Sequence, residues 1–212
     1  MSALLEHDPS DCRSRLIQAA TEAFIEEGYR ASVEQLAARA GVARQTLYNH
    51  FPSKDELFRE VIRQVTAILL ITLDDGDGGL RERLLRFGLA FRSKALSVEG
   101  LGFYRALVAE IPRQPKMAAD FYNAGPAKTA ARLRVVLSAA MECGELRREE
   151  PEFATTLLLS MLVGAERSHC LLTGEAPPVP DAVHVGRIID CFLRALAPEN
   201  SPSKPVPQRS TP

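Results

Sequence analysis

Between residues 10 and 28 the apolar side chains Leu16, Ala20, Ala23 and Phe24 recur three or four positions apart, with Ile17 and Ile25 flanking and Gly28 behind them. That spacing predicts an amphipathic helix with a glycine stop. The stretch SVEQLAARAGVARQTLYNHF, residues 32 to 51, then places Leu36, Ala40, Val42 and Leu47 as an apolar set that holds two short helices at a fixed angle. Ala37 and Gly41 stand four apart, where a small side chain permits close approach and glycine takes the positive φ of a tight turn. Ser32 with Gln35 reads as a capping box opening the second helix, and Ser53 with Glu56 as another opening the fourth. Pro52 forces a break after Phe51, so the third helix is short, about residues 43 to 50.

The pattern from Lys54 to Leu73 predicts one longer helix, ended by DDGDGG at 74 to 79. Further helical periodicity covers 80 to 96, 101 to 111 (closed by Pro112 and Pro115), 116 to 143, 151 to 172 and 181 to 197. At Gly125-Pro126 the third of these breaks, and proline at a first-turn position restarts it. No window alternates with period two. The expected fold is all-α: an N-terminal three-helix, helix-turn-helix domain over 10–53, a larger helical domain over 54–197, and a proline-rich, polar, disordered tail over 198–212.

The segment Phe153 to Val163 is apolar on more than one side, which predicts a second partner for that helix. The expected arrangement pairs it and the last helix with their copies in a second subunit, a two-fold four-helix interface built on Leu158, Met161, Leu162, Ile188, Ile189 and Phe192; the alternative is a fully buried central helix in a monomer.

Charge changes the picture locally. The chain of 212 residues carries 26 Lys and Arg against 27 Asp and Glu, a net charge of −1, so as a whole it does not advertise nucleic acid. No carboxylate occurs from Gln35 through Lys54, where average composition places roughly two or three, while Arg39, Arg44, His50 and Lys54 fall inside that gap. Against this, residues 1 to 60 hold 7 basic and 10 acidic side chains, the acids sitting mostly on the first helix and after Lys54. No leader pattern and no uncharged apolar run of 18 residues is present, which predicts a cytoplasmic protein. Cys12, Cys143, Cys170 and Cys191 are scattered without a C-x-x-C pair and read as reduced thiols packed as small hydrophobes. The four histidines are dispersed, and no nucleophile-elbow, zinc-protease or phosphate-loop motif occurs, so neither an enzyme, a cofactor nor a metal is expected.

Together, the three-helix unit, the string SVEQLAARAGVARQTLYNHFPSKDELF and the helical remainder resemble the TetR family of bacterial transcriptional regulators. The later segment FYRALVAEIPRQPKMAADFYNAGPAK is similar to the branch grouped with AcrR-type regulators. The resemblance implies a homodimer whose reading domain is switched by a small-molecule effector in the C-terminal domain, and a near-palindromic double-stranded operator. It implies that Arg44, Gln45 and Thr46 reach base edges in the major groove, where arginine matches guanine and glutamine adenine at two points. It also implies that Tyr48, Asn49 and His50 meet phosphates, and that Lys54 and the helix start at Ser32 clamp others.

The candidates for an effector pocket are Phe87, Phe91, Phe103, Tyr104, Leu107, Met117, Phe121, Tyr122 and Met161, suited to an apolar or amphipathic ligand, with plain packing core as the alternative reading of an aromatic and methionine set at helical spacing. A ligand-released repressor is the resulting expectation. The alternative is a helical ligand- or partner-binding protein whose reading domain no longer functions, favoured by the acidic balance of residues 1 to 60. A LacI-like repressor, which shares a G-V-x-x-x-T opening, is disfavoured because no alternating strand and helix domain follows.

Overall fold

The computed structural model describes residues 9–74, 78–176, 179 and 181–198. Among them there are ten α-helices, one 3-10 turn and no strand. The helices are α1 (Pro9–Glu27), α2 (Val33–Arg39), α3 (Arg44–His50), α4 (Lys54–Asp74), α5 (Leu80–Ala95), α6 (Val98–Glu110), α7 (Pro115–Ala124), α8 (Pro126–Glu142), α9 (Pro151–Thr173) and α10 (Ala182–Ala195), with the 3-10 turn at Gly28–Arg30. The expected tail beyond Pro198 and residues 75 to 77 of the DDGDGG stretch lie outside the described residues.

Local chemistry accounts for most boundaries. Pro115, Pro126 and Pro151 each occupy the first turn of a helix, where a missing N–H costs nothing. Gly125 separates α7 from α8, and a Cβ there would stand 2.9 Å from Ile62 Cγ2, so only glycine lets this corner lie against α4. One boundary differs from expectation: α6 begins at Val98 rather than 101, because the Ser97 hydroxyl accepts from the Gly100 amide at 2.9 Å. The cap adds a turn that apolar periodicity does not mark, since Val98 faces solvent.

Two apolar clusters form. The first joins Leu16, Ala20, Phe24, Tyr29, Leu36, Leu47 and Phe51 to Leu57, Phe58, Val61 and Ile62 of α4, and to Leu107 of α6 and Met117 of α7. The second joins Leu69 and Leu73 of α4 and Leu101 of α6 to α5, α8, α9 and α10. Helices α4 and α6 therefore run through both cores, and the packing around the three-helix unit continues past residue 53.

Four of the six expected intersubunit residues are corrected here. Leu158, Leu162, Ile189 and Phe192 have no exposed surface within the single chain. Gly88 of α5 explains it: Val185 Cγ1 and Leu162 Cδ2 lie 2.9 and 3.1 Å from where its Cβ would be, so α10 and α9 close down on α5. The apolar excess of α9 is absorbed by α5, α8 and α10. Met161 and Ile188 remain half-buried at the edge of this core. The outward side of α9 instead presents Phe153, Thr156, Ser160, Gly164, Ser168 and Leu172. The cysteines also divide: Cys12 and Cys170 are buried, whereas Cys143 and Cys191 are exposed.

Candidate nucleic-acid interface

Helices α2 and α3 are held in register by the turn between them. The Val42 amide donates to the Ala37 carbonyl at 3.0 Å and the Gly41 amide to the Ala38 carbonyl at 3.1 Å, a Schellman pair closed by Gly41 at φ +66°. Arg15 of α1 reaches the same turn. Its Nη2 donates to the Ala40 carbonyl at 2.6 Å and to the Gly41 carbonyl at 3.3 Å, satisfying acceptors that the end of α2 leaves open. Fully buried Leu36 and Leu47 and nearly buried Ala37 supply the apolar contact beneath, with Val42 half-buried beside them.

This geometry turns one edge of α3 outward. Arg44, Gln45 and Asn49 are exposed, while Thr46, Tyr48 and His50 are half-buried. Gln45 Nε2 donates to Asn49 Oδ1 at 3.1 Å, one helical turn away. The Arg44 guanidinium lies 5.4 Å from the Tyr48 ring centroid, and its Nη1 meets Glu34 Oε1 at 2.9 Å. Tyr48 first and Glu34 second hold Arg44 further above its ordinary value, so its charge is fixed.

Two of the expected phosphate contacts, Lys54 and Ser32, have partners within the chain. Lys54 Nζ donates to the Tyr29 carbonyl at 2.7 Å and the Ala31 carbonyl at 3.3 Å, and sits 4.1 Å from the Tyr29 ring centroid. The ammonium thus serves as a strut between the start of α4 and the turn after α1, because two carbonyls at the end of a 3-10 turn need donors. The Ser32 amide donates to Gln35 Oε1 at 2.6 Å and its hydroxyl accepts from the Gln35 amide at 3.2 Å, so both halves of the capping box at the start of α2 are closed. At Ser53 the hydroxyl accepts from the Glu56 amide at 3.2 Å, the first half of such a box.

Cations of the carboxylate-poor stretch thus find partners within the chain. Arg39 bonds Glu26 and sits 3.3 Å from Glu27, and its hydrogen bond holds the Glu26 carboxyl below the usual carboxylate range. Beneath them Tyr29 donates to Asp55, and burial first, then that carboxylate, push the phenol above its ordinary value. Arg15, Tyr29 and Glu34 were invisible to motif reading. Arg15 and Tyr29 act through contacts 25 or more residues away in the chain, and Glu34 stands one position outside the gap that drew attention.

The expected pocket set does not converge. Phe103 and Phe121 stack or tilt against Phe58 at 5.8 and 6.5 Å and, with Leu107 and Met117, belong to the first cluster. Phe87, Phe91 and Met161 belong to the second. Tyr122 faces solvent, and Tyr104 lies under the Arg167 guanidinium at 5.0 Å. Two surface cavities, of about 440 and 460 Å³, are lined by Ala165, Glu166, His169, Cys170, Glu175 and Ala176, and by residues of α8 with the start of α9. Neither includes any of the nine. Their separation follows from the helices that carry them: α6 and α7 turn Phe103, Leu107, Met117 and Phe121 into the first cluster, whereas α5 and α9 carry Phe87, Phe91 and Met161 into the second.

Residues 16–61 match the model for bacterial regulatory proteins of the tetR family, and residues 82–198 match the AefR-like transcriptional repressor C-terminal domain. The chain is 26% identical over 201 residues to the HTH-type transcriptional regulator EthR of Mycobacterium tuberculosis, covering 90% of this chain and 89% of that protein. Among solved structures it is similar to the flavonoid-responsive regulator FrrA, with TM-score 0.67 and 29% identity, covering 90% and 99% of the two chains. A TetR family transcriptional regulator from Pseudomonas syringae pv. tomato superposes with TM-score 0.62 at 25% identity, covering 90% and 97%.

Proposed function

The chain belongs to the TetR family of DNA-binding bacterial transcriptional regulators, and from that premise we propose that it is a repressor released from its operator when a small, largely apolar ligand binds the helical region 54–197. The family binds operator DNA and effectors and acts as dimers. For this chain the reading is of a cytoplasmic homodimer on a near-palindromic duplex, regulating rather than catalysing. The observation that carries it is the outward edge of α3, where Arg44, Gln45 and Asn49 project from a turn locked by Gly41 and Arg15. Arg44 and Gln45 supply the two-point donors and acceptors that base edges require, with Thr46 beside them, while Tyr48, Asn49 and His50 flank them toward the backbone.

Match to a repressor-type C-terminal domain supports the sign of regulation, and the similarity to FrrA, a flavonoid-responsive regulator, supports a small-molecule trigger. Helices α4 and α6 offer the route. Each contributes to the core beneath α3 and to the core of α5, α8, α9 and α10, so a ligand that moves either helix tilts the reading edge. Two copies of α3 must sit about one DNA turn apart, roughly 34 to 36 Å, and a ligand acts by favouring a state with another spacing.

Fluorescence anisotropy with the duplex upstream of its own gene tests this. Affinity should fall steeply between 50 and 200 mM salt, as expected when phosphates are neutralised. An absence of binding at 50 mM salt would instead favour a helical binding protein with an idle reading domain.

A further inference from the structure

We propose that Glu34 is a specificity-determining positioning residue, holding the Arg44 guanidinium in the plane from which it reads a guanine. The inference rests on the DNA-reading function proposed above and assigns to it a residue outside the recognition helix. Glu34 lies in the first turn of α2 and Arg44 opens α3, and the Schellman turn with Arg15 fixes the two helices, so the backbone holds the two side chains within reach of each other. The guanidinium is held on two sides: Nη1 meets Glu34 Oε1 at 2.9 Å, and its carbon stands 5.4 Å from the Tyr48 ring centroid. An unbranched arginine otherwise carries many rotamers, and each must be surrendered before it can offer two parallel donors to guanine O6 and N7.

Stability does not explain this pair. Both side chains are 61% exposed, and ion pairs so open to water contribute little. A carboxylate on the contact face also repels phosphates, which lowers affinity for every duplex alike. Its return is selectivity. Once a duplex covers the face, water and salt leave the pair and it strengthens, provided that Arg44 finds an acceptor edge on its other side. On a mismatched base the same arginine is kept from swinging to a nearby phosphate. The neighbouring carboxylates do not compete for it: Glu26 and Glu27 are engaged by Arg39, and none occurs from Gln35 to Lys54.

The test is selection from a randomised duplex pool, followed by affinities for the selected and a scrambled duplex, using the full-length wild type, Glu34→Ala, Arg44→Ala and the double variant. Wild type should enrich a guanine at one position of each half-site. Glu34→Ala should weaken that preference by about fivefold or more, leave other positions unchanged, and bind the scrambled duplex at least about threefold tighter. In the Arg44→Ala background, removing Glu34 should change no base preference. Thermal melting of each variant keeps folding apart from reading. Unchanged guanine preference in Glu34→Ala overturns the inference alone, as does a preference that depends on Glu34 without Arg44, which would make the carboxylate a direct acceptor from cytosine. If wild type enriches no sequence, the DNA-reading function falls and this inference with it.

Discussion

Replacing Gly41 by alanine probes whether backbone geometry, rather than side-chain packing, holds the recognition helix. At φ +66° an L-residue with a Cβ pays roughly 1–2 kcal/mol. The added Cβ would stand 3.1 Å from Arg15 Nη2, the group that donates to Ala40, so that bond must shift. A charge-assisted hydrogen bond is worth roughly 1.5–3 kcal/mol, and partial exposure reduces its loss here to about 1. The sum, about 2–3 kcal/mol, is a large share of the ~5–15 kcal/mol that holds an ordinary domain. For a chain of this size it lowers Tm by roughly 4–12 °C. Urea titration and thermal melting by circular dichroism at fixed protomer concentration give both numbers, the concentration being fixed because dimerisation adds to apparent stability. Gly41→Asn separates the two terms, because asparagine tolerates the left-handed region although it is larger. It should retain roughly 1 kcal/mol more stability than Gly41→Ala. If Ala at 41 matches wild type, or Asn is the more damaging, the backbone account is wrong.

Lys54→Met should cost about 1–3 kcal/mol by leaving the Tyr29 and Ala31 carbonyls without their ammonium, yet keep the salt dependence of DNA binding unchanged. A phosphate contact at Lys54 would instead flatten the log–log slope by about 0.9 per protomer. Tyr29 predicts an alkaline effect: its folded value lies above the ordinary 10.0, so its contribution is whole below about pH 10 and is lost as pH rises through the folded value. Urea titrations between pH 9 and 11.5 should show that decline in wild type and a shallower one in Tyr29→Phe; equal slopes would refute it. Gly164→Arg places a charge where nothing lies within 4 Å of the new Cβ, on the outward side of α9. We propose this outward side as the dimer face, so the protomer should fold with unchanged circular dichroism and scatter light as a monomer; a persistent dimer would place the interface elsewhere.

Helix order and most boundaries were legible because prolines at helix starts, glycine stops and serine caps are local devices. The α2–α3 turn was legible for the same reason, since Gly41 stands where the chain needs a positive φ. What escaped was set by contacts distant in the chain. Leu158 and Phe192 look like surplus apolar surface until Gly88, some 70 to 100 residues earlier, is seen to admit α9 and α10. Lys54 looks like a free cation until the carbonyls at Tyr29 and Ala31 claim it. Phe103 and Phe87 look like neighbours in one pocket because sequence reports helical spacing but not which of two cores each helix face meets.

Phe24, Tyr29, Phe58, Phe103 and Phe121 form a continuous column of rings with centroids 5.1 to 6.5 Å apart, drawn from α1, the 3-10 turn, α4, α6 and α7. For protein engineering this forbids a simple graft. Residues 9 to 53, excised and fused to a foreign sensor, would lose Phe58 from its place against Phe24 and Tyr29, and residues 9 to 74 would leave Phe58 facing water where Phe103 and Phe121 had covered it. A working chimera must carry α6 and α7 along with the reading head, so the seam belongs on their far side, near the start of α8.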